Sequence, residues 1–326
     1  MPSHRSRTAT VLAALLAVAL AVASPTAGAE PTTTTGTVVG TPDVLALLDP
    51  LDRASVERVY REVLVPTFDV PSGWTGSTDS CSVGTESTAS ITATGRAVNA
   101  YRALAGLQPV VMDPNLNRSA LRAALMMDAA DENSHTPVRP WPCHTAVGER
   151  AAGSSNLSQR GIGPVAVASY MVDDGPGNAD VGHRRWILRP RTTTMGTGST
   201  GGANALYVVT DAAPTAARHR VTWPSAGYFP GPLVPARWSM SITGADFADA
   251  QVVMAVDRRL VPVTVVSRTA GYGEPTIVWE PSLALDELRG GADGEVRLDV
   301  RVSGIGGGRG RSTEAFTVRV FRPTGS

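Results

Sequence analysis

Two of the five histidines in this chain lie in one segment together with a carboxylate. His135 follows a serine, His183 follows a glycine, and Asp173 lies between them. Imidazole and carboxylate side chains bind metal ions and transfer protons near neutral pH. If the fold brings these three side chains together, the chain has a polar site with that chemistry. If the fold keeps them apart, they are ordinary surface and helix-capping residues.

The first residues of the chain have the pattern of an export signal. Basic side chains precede an apolar run over residues 11–22, and residues 27–29, Ala-Gly-Ala, have the small-residue spacing of a cleavage site. The apolar run is too short to span a membrane comfortably. We therefore expect a signal peptide over residues 1–29 and a linker rich in Thr, Pro and Gly over residues 30–41. The protein is then expected to be secreted and extracellular, without a transmembrane segment.

The charge of the chain gives no sign of a nucleic-acid partner. The chain has 29 basic and 29 acidic side chains, so its formal net charge is zero, and all the basic ones are arginine. A protein that binds nucleic acid or an anionic membrane through electrostatics usually carries a basic surface. We therefore expect the protein to bind no nucleic acid.

The chain contains two cysteines, Cys81 and Cys143. A small, even number of cysteines in an exported protein favours a disulfide bond. Closing a loop of about sixty residues would stabilise the fold by about 4 kcal/mol in the chain-entropy model. An alternative makes Cys143, next to His144, a thiol nucleophile. Neighbours in sequence rarely face each other in the geometry that activates a thiolate, so the disulfide is favoured.

The first two thirds of the chain combine helical patterns with a short strand. Apolar residues recur at helical spacing, with caps or proline at the helix starts, and a β-type run follows. The helical segments are 42–65, interrupted at Pro50, then 88–105, a segment that starts at Asp113-Pro114, and 163–173, and the β-type run is 204–210. This order predicts an α+β domain with layers of helices and strands.

After residue 220 the pattern changes to short β-type runs separated by turns. Several runs alternate apolar and polar residues in period two, as half-buried strands do. The runs are 237–242, 251–256, 260–266, 276–279, 295–302 and 315–321. Six such runs in about a hundred residues predict an antiparallel, all-β sandwich of immunoglobulin-like type over residues 220–326.

Several short motifs occur in the order and spacing of one protein family. They are Asn99-Ala100-Tyr101-Arg102, Gly106-Leu107, Ser134-His135, Ser155-Asn156, Tyr170-Met171-Val172-Asp173 and Gly182-His183-Arg184-Arg185-Trp186-Ile187-Leu188. The segment resembles a CAP domain, from the superfamily of cysteine-rich secretory, antigen 5 and pathogenesis-related-1 proteins, in its bacterial form. The resemblance implies an α-β-α sandwich. We assign this domain to residues 42–215, with a helical extension on its amino-terminal side.

The resemblance also implies a cleft in which two histidines and two acidic residues face one another. His135 and His183 match the two histidines, and Asp173 stands at one acidic position. The other acidic position falls on Ser155, so the chain lacks that carboxylate. Glu149 could supply a carboxylate only if the local loop differs. The candidate cleft residues are His135, His183, Asp173, Glu149, Ser155 and Asn156.

Zinc is the metal ion that this residue set could bind. Two imidazoles, a carboxylate and a water molecule can hold Zn²⁺ in tetrahedral geometry, so His135 and His183 are candidate zinc ligands. The missing carboxylate removes a partner that would orient one histidine. We therefore expect zinc binding to be weak or absent, unless Asp174, Glu149 or His144 joins the site.

The resemblance does not decide a reaction, because CAP relatives have diverse roles, which include sterol or lipid binding, defence, toxicity and occasional proteolysis. The leading hypothesis is a cleft that binds a small ligand, a metal ion or an extracellular partner such as a lipid, a glycan or a protein. The alternative is a metal-dependent extracellular hydrolase that uses the same cleft. A purely structural role in the cell envelope is a third hypothesis. The sequence contains neither Gly-x-Ser-x-Gly nor His-Glu-x-x-His, and whether the protein is an enzyme stays open.

Two further motifs are weaker. Residues 173–180 crowd oxygen-bearing side chains into a glycine-rich loop, but they lack the ligand spacing of an EF-hand, so we expect a turn that positions His183. Residues 196–201 match the dinucleotide pattern Gly-x-Gly-x-x-Gly, but they precede a strand rather than open a helix. Trp186 and the other tryptophans are expected in the core, with stacking on a sugar or lipid as the alternative for an exposed ring.

Overall fold

The computed structural model describes residues 48–159, 161–211, 218–290, 294–308 and 310–324. The expected signal peptide and linker, residues 1–41, lie outside these described residues. All described residues belong to one compact unit. Within these ranges no helix is both long and apolar enough to cross a membrane.

The first described helix lies within a predicted helical segment, residues 42–65. Helix α1, Arg53–Arg58, begins at a cap, because the Asp52 carboxylate accepts hydrogen bonds from the following backbone N–H groups. A π-helical turn, Val59–Leu64, and a 3₁₀ turn, Val65–Thr67, continue the helical chain. The predicted helix is thus confirmed from Arg53 onward.

The next two helices begin after residues whose side chains cap the first turn, and for the second of them the sequence predicts this start at Asp113-Pro114. Helix α2, Thr88–Leu104, begins after Ser87, whose hydroxyl accepts a hydrogen bond from a backbone N–H inside the first turn. Helix α3, Pro114–Ala130, begins after Asp113, whose carboxylate accepts from two backbone N–H groups. Both predicted helices are confirmed.

Three shorter helices follow in the same part of the chain. They are α4, Ala146–Gly153, α5, Gly163–Val172, and α6, Gly182–Ile187. Helix α5 confirms the predicted segment 163–173. The sequence does not predict α4 and α6, because they are too short to show a clear apolar periodicity.

Four short strands form sheet A, in the order β1-β3-β4-β2. The strands are β1, Val111–Met112, β2, Ser155–Ser158, β3, Thr194–Ser199, and β4, Asn204–Tyr207. β1 and β3 are parallel, and the other two pairs are antiparallel. Among these four strands the sequence predicts only β4.

Sheet A has a layer of helices on each face. One hydrophobic cluster contains side chains of α2 and α5 together with Leu206 of β4, and a second contains side chains of α3 and α4 together with Ala205. Neighbouring residues of a strand point to opposite faces of a sheet. The two clusters therefore lie on opposite faces, and this region has the α-β-α arrangement that the resemblance implies.

Close packing between β3 and α3 explains two of the glycines in β3. A Cβ atom on Gly198 would lie 2.1 Å from the backbone nitrogen of Leu121, and one on Gly196 would lie 2.4 Å from the Cβ of Leu116. Neither position has room for a side chain. The first two glycines of the dinucleotide-like pattern at 196–201 therefore allow α3 to pack closely on β3.

Cys81 and Cys143 form a disulfide bond across a sequence separation of 62 residues. The bond joins the irregular segment before α2 to the segment before α4, and the described residues contain no free cysteine. The predicted pairing is confirmed. The alternative in which Cys143 is a thiol nucleophile is removed, since a disulfide sulfur carries no thiolate.

The C-terminal part of the chain forms two further sheets. Sheet B has the order β10-β11-β7-β5, and sheet C has the order β6-β13-β12-β8-β9. Their strands are β5, Arg220–Trp223, β6, Gly227–Pro230, β7, Trp238–Ile242, β8, Gln251–Val256, β9, Arg259–Val261, β10, Val263–Ser267, β11, Thr276–Pro281, β12, Glu295–Ile305, and β13, Ser312–Phe321. A short helix, α7, Leu285–Gly290, precedes β12.

The strands predicted in the C-terminal part need two corrections. The run 260–266 is not one strand, because Pro262 separates β9 of sheet C from β10 of sheet B. Proline lacks the N–H group that a residue inside a strand donates. The predicted antiparallel sandwich also contains one parallel pair, β6 with β13. The sequence predicts neither β5 nor β6, which are only four residues long.

A single hydrophobic core joins the predicted domains 42–215 and 220–326. The cluster that holds α2 and α5 also contains side chains of sheets B and C. The ring of Tyr101 in α2 meets the Trp223 ring edge-on, with centroids 5.8 Å apart, and Trp223 meets Phe229 at 4.9 Å. The helices and the C-terminal sheets therefore pack directly against each other.

Candidate functional site

A cleft of about 430 Å³ is lined both by the helical part of the chain and by the C-terminal part. Four of the six predicted site residues line it, namely His135, His183, Ser155 and Asn156. Among the other lining residues are Asn178, Asp180, Trp186, Gly271 and Tyr272. A cleft of this size is typical of sites that bind small molecules.

Asp173 orients the ring of His183. Helix α5 ends at this aspartate, whose backbone adopts the left-handed region at φ 52° and whose side chain is fully buried. Its Oδ1 lies 2.8 Å from Nδ1 of His183, and its Oδ2 accepts a hydrogen bond of 3.2 Å from the backbone N–H of Arg184. An ionised carboxylate can only accept, so Nδ1 of His183 carries a proton and Nε2 holds the lone pair of the neutral ring.

Tyr170 supports His183 from α5. The two rings stack with centroids 5.4 Å apart and planes at 30°. The tyrosine hydroxyl lies 3.1 Å from the backbone oxygen of Asn156 and 3.0 Å from Oδ1 of Asn204. Burial raises the pKa of Tyr170 well above its usual range, so the hydroxyl remains a donor at neutral pH. Tyr170 thus connects the support of His183 to sheet A.

The backbone just before His183 is strained. Val181 is fully buried and has a φ of 45°, a left-handed conformation that β-branched residues rarely adopt. Such a conformation costs on the order of 1 to 2 kcal/mol, so the surrounding structure must hold it. Val181 is the N-cap residue of α6, and its conformation sets the direction in which that helix presents His183.

His135 is oriented by the end of α4. Its Nδ1 lies 3.0 Å from the backbone oxygen of Ala152. A carbonyl oxygen only accepts, so Nδ1 of this ring also carries a proton and Nε2 holds the lone pair of the neutral ring. Both histidines of the cleft therefore have the same tautomer, with Nδ1 bound within the protein and Nε2 left as an acceptor.

Ser155 and Asn156 support the cleft from strand β2. The buried Ser155 hydroxyl donates to the backbone oxygen of Ala151 at 2.7 Å, and the Asn156 amide donates to the backbone oxygen of His183 at 3.0 Å. The serine therefore provides a neutral hydroxyl, already bonded to α4, at the position where the resemblance implies a carboxylate.

Glu149 does not supply the missing carboxylate. It lies in the first turn of α4, where its Oε2 is 3.0 Å from Nε2 of His144. It is not among the residues that line the cleft. Bringing Glu149 into the cleft requires a different local loop, whereas residues 146–153 form a helix.

The donor set of the cleft does not fit a zinc site. Asp173 is buried behind His183, and both of its carboxylate oxygens are bonded within the protein. Among the described residues, no three His, Cys, Asp or Glu side chains are grouped so that they could hold a metal ion. Zinc sites in proteins use three or four protein ligands, and the carboxylate that lines this cleft, that of Asp180, forms no such group with the two histidines.

A family model described as "CAP: Cysteine-rich secretory protein family" matches residues 96–211. These residues form a CAP family domain. The CAP domain contains His135, Asp173 and His183, and it ends before sheets B and C. No curated protein was found to match the chain. The CAP domain therefore provides one side of the cleft, and Gly271 and Tyr272, outside it, contribute to the other.

The sequence does not point to Asp180, Trp186 or Tyr272 as cleft residues. Trp186 stands in the same motif as His183, which is a signal that could have placed it beside the cleft. Tyr272 lies in the connection between β10 and β11, and no motif links that connection to the histidines. Its position depends on how sheet B packs against the CAP domain.

Asp173→Asn is expected to lower the free energy of unfolding by about 2 kcal/mol, because it replaces a charge-assisted hydrogen bond at a buried site. An amide can donate as well as accept, so the variant should also populate the tautomer of His183 that carries its proton on Nε2. Urea unfolding measures the first effect, and ¹⁵N chemical shifts of His183 measure the second. Asp174→Asn, at the exposed neighbouring position, is the control. An unchanged tautomer in Asp173→Asn would contradict the orienting role.

Proposed function

We propose that the protein is an exported binding protein whose cleft takes a small, hydroxyl-bearing ligand. The supporting observation is that both histidines of the cleft place Nδ1 against an acceptor of the protein. His135 and His183 each bind Nδ1 within the protein, so each keeps Nε2 as an acceptor in a cleft of about 430 Å³. Two oriented acceptors in one small cleft suit a ligand that donates two hydrogen bonds.

A binding role is favoured over a hydrolytic one. A metal-dependent hydrolase needs a metal ion with an open coordination position, and the described residues group no three metal-binding side chains. The serine of the cleft, Ser155, uses its hydroxyl to donate to a backbone oxygen at 2.7 Å. The hydrolase hypothesis therefore lacks a supporting observation.

Export is supported by two features of the chain. Residues 1–29 have the signal-peptide pattern, and the bond between Cys81 and Cys143 is typical of proteins that fold in an oxidising compartment. The order of the CAP motifs suits the bacterial members of the family.

Sheets B and C, which share a core, suit an immunoglobulin-like sandwich, although the parallel pair of β6 with β13 departs from a purely antiparallel one.

A fragment screen by ligand-observed NMR tests the binding role. The probe is a library of water-soluble fragments, some with hydroxyl donors and some apolar, added to the purified chain. We expect hydroxyl-bearing fragments to bind, and His135→Ala and His183→Ala each to weaken that binding about tenfold, as loss of one hydrogen bond predicts. His144→Ala is the matched control, because His144 pairs with Glu149 rather than lining the cleft.

Each of the following results would overturn the proposal. Binding that survives both cleft variants, or that falls equally in His144→Ala, would mean that the fragments bind elsewhere. A set of hits made only of apolar fragments would mean that the histidine acceptors are not used. Thermal melting of each variant separates loss of binding from loss of folding.

A further inference from the structure

We infer that Tyr272, in the C-terminal part of the chain, contacts the ligand, and that the ligand presents a saccharide ring to it. This inference rests on the proposed binding role and names the class of its ligand. Three observations carry it: the position of the Tyr272 ring, the way in which the ring is held, and the chemistry of the cleft around it.

The Tyr272 ring lies against the backbone that presents His183. Tyr272 and Gly271 belong to the connection between β10 and β11, and both line the cleft. A Cβ atom on Gly182 would lie 3.0 Å from Cδ1 and 3.1 Å from Cε1 of the ring. The ring therefore packs directly on Gly182, and the two sides of the cleft meet next to His183.

Arg185 holds the ring in place. Its guanidinium carbon lies 5.4 Å from the centroid of the Tyr272 ring, within the range of a cation–π contact. Arg185 is itself only 5% exposed, and its Nη2 donates to the backbone oxygen of Glu274 at 3.1 Å. One buried arginine thus binds both the ring and the backbone just beyond it.

A second contact attaches the start of the same connection to the CAP domain, and Arg185 also holds the aspartate that makes this contact. The Ser267 hydroxyl donates to the carboxylate of Asp180, and Arg185 Nη1 donates to the backbone oxygen of Asp180 at 3.3 Å. The connection is therefore attached to the CAP domain on both sides of Tyr272. Tyr272 is nevertheless 40% exposed. An aromatic ring that is fixed in position and still exposed in a cleft provides a preorganised stacking surface.

The remaining groups of the cleft suit a saccharide. Trp186 adds a second aromatic ring, and Asn178, Asp180 and the two histidines add polar groups. A pyranose has an apolar C–H face, which stacks on aromatic rings, and a rim of hydroxyl groups, which donate and accept hydrogen bonds. A pyranose in this cleft therefore uses both its apolar and its polar groups.

Other classes of ligand fit the cleft less well. Among the described residues no arginine lines it, and the carboxylate of Asp180 disfavours a phosphate or a carboxylate ligand. An aliphatic chain would cover the two imidazole acceptors without giving them a donor, which costs free energy.

Binding to an array of neutral oligosaccharides, built from hexoses and N-acetylhexosamines, tests the inference on the purified chain. We expect at least one pyranose class to bind. Tyr272→Ala should weaken that binding about tenfold or more, whereas Tyr272→Phe, which keeps the ring, should stay within about twofold of the unaltered chain. Leu260→Ala is the control, because Leu260 is 77% exposed on β9 and does not line the cleft.

The outcomes separate this inference from the proposed function. If hydroxyl-bearing fragments bind through the two histidines but no oligosaccharide binds, the saccharide class is overturned and the binding role stays. The same conclusion follows if an oligosaccharide binds equally well to Tyr272→Ala. Failure of the fragment screen would overturn both.

Equal losses in Tyr272→Phe and Tyr272→Ala would also overturn the inference, since the hydroxyl group and not the ring face would then make the contact. Thermal melting against Leu260→Ala shows whether Tyr272→Ala folds. If it does not fold, Tyr272→Leu, which keeps bulk without a flat ring, replaces it with the same expected loss.

Discussion

Arg102→Met is expected to lower the free energy of unfolding by about 3 to 5 kcal/mol, which is a large part of the stability of an ordinary domain. Arg102 lies in α2 and is fully buried. Its guanidinium donates to four backbone oxygens at 2.7 to 3.1 Å, those of Gln108, Ile187, Arg189 and Thr192. Methionine replaces the apolar stem of arginine but has no donor group, so these four oxygens lose the hydrogen bonds from the guanidinium.

The same change should affect the cleft, because three of the four oxygens lie just beyond His183 in the chain. Arg102 connects the end of α6 to α2, and α6 is the helix that presents His183. Burial lowers the pKa of Arg102 to about 10, which leaves the side chain charged at neutral pH. The hydrogen bonds from the charged guanidinium of Arg102 are therefore present at neutral pH.

Urea unfolding followed by tryptophan fluorescence measures the loss. Arg118→Met, at an exposed position of α3, is the control and should change the free energy by less than about 0.5 kcal/mol. A loss below about 1 kcal/mol in Arg102→Met would contradict the connecting role, since even one orphaned buried acceptor costs that much.

Trp223→Ala is the second change with a large expected effect, about 3 to 5 kcal/mol. Trp223 is 1% exposed, and its ring contacts Tyr101 of α2 and Phe229 of β6. Alanine would leave a cavity where the helices and the C-terminal sheets share their core. We expect the unaltered chain to unfold in one transition in calorimetry and the variant to unfold at a lower temperature.

Trp223→Phe is the matched variant, because it keeps an aromatic ring. The indole nitrogen of Trp223 has no hydrogen-bond partner among the described residues, so phenylalanine loses little beyond part of the ring. It should cost much less than alanine. Equal losses in the two variants, or two separate transitions in the unaltered chain, would contradict the shared core.

The features that the sequence predicts well are those that depend on nearby residues. Asp113 accepts hydrogen bonds from two backbone N–H groups within the next turn, so the start of α3 follows from Asp113 and Pro114 alone. The prediction that Cys81 pairs with Cys143 needed only the number of cysteines and the expected oxidising compartment.

The strands are harder to predict, because their stability comes from partners far along the chain. β6 has four residues and pairs in parallel with β13, which nothing in its own sequence indicates. Pro262 splits a continuous β-type run, and the two halves then join different sheets.

The candidate site likewise contains residues that the sequence predicts and residues that it does not predict. His135 and His183 stand in short motifs, and both line the cleft. The position of Glu149 could not be predicted, because it depends on whether residues 146–153 form a helix that packs against α3. The position of Tyr272 depends on contacts between distant parts of the chain, of which none leaves a pattern in the local sequence.

Because Tyr272 lies late in the chain, the cleft can be completed only after the CAP domain has been synthesised. A ribosome finishes the CAP domain, residues 96–211, well before it adds Tyr272 and Glu274. Until then Arg185 lacks the backbone oxygen that it binds in the folded protein, and the cleft lacks one side. A nascent chain, or one cut after residue 211, therefore contains both histidines but lacks residues that line the other side of the cleft, and only a molecule whose C-terminal sheets have folded has the complete cleft.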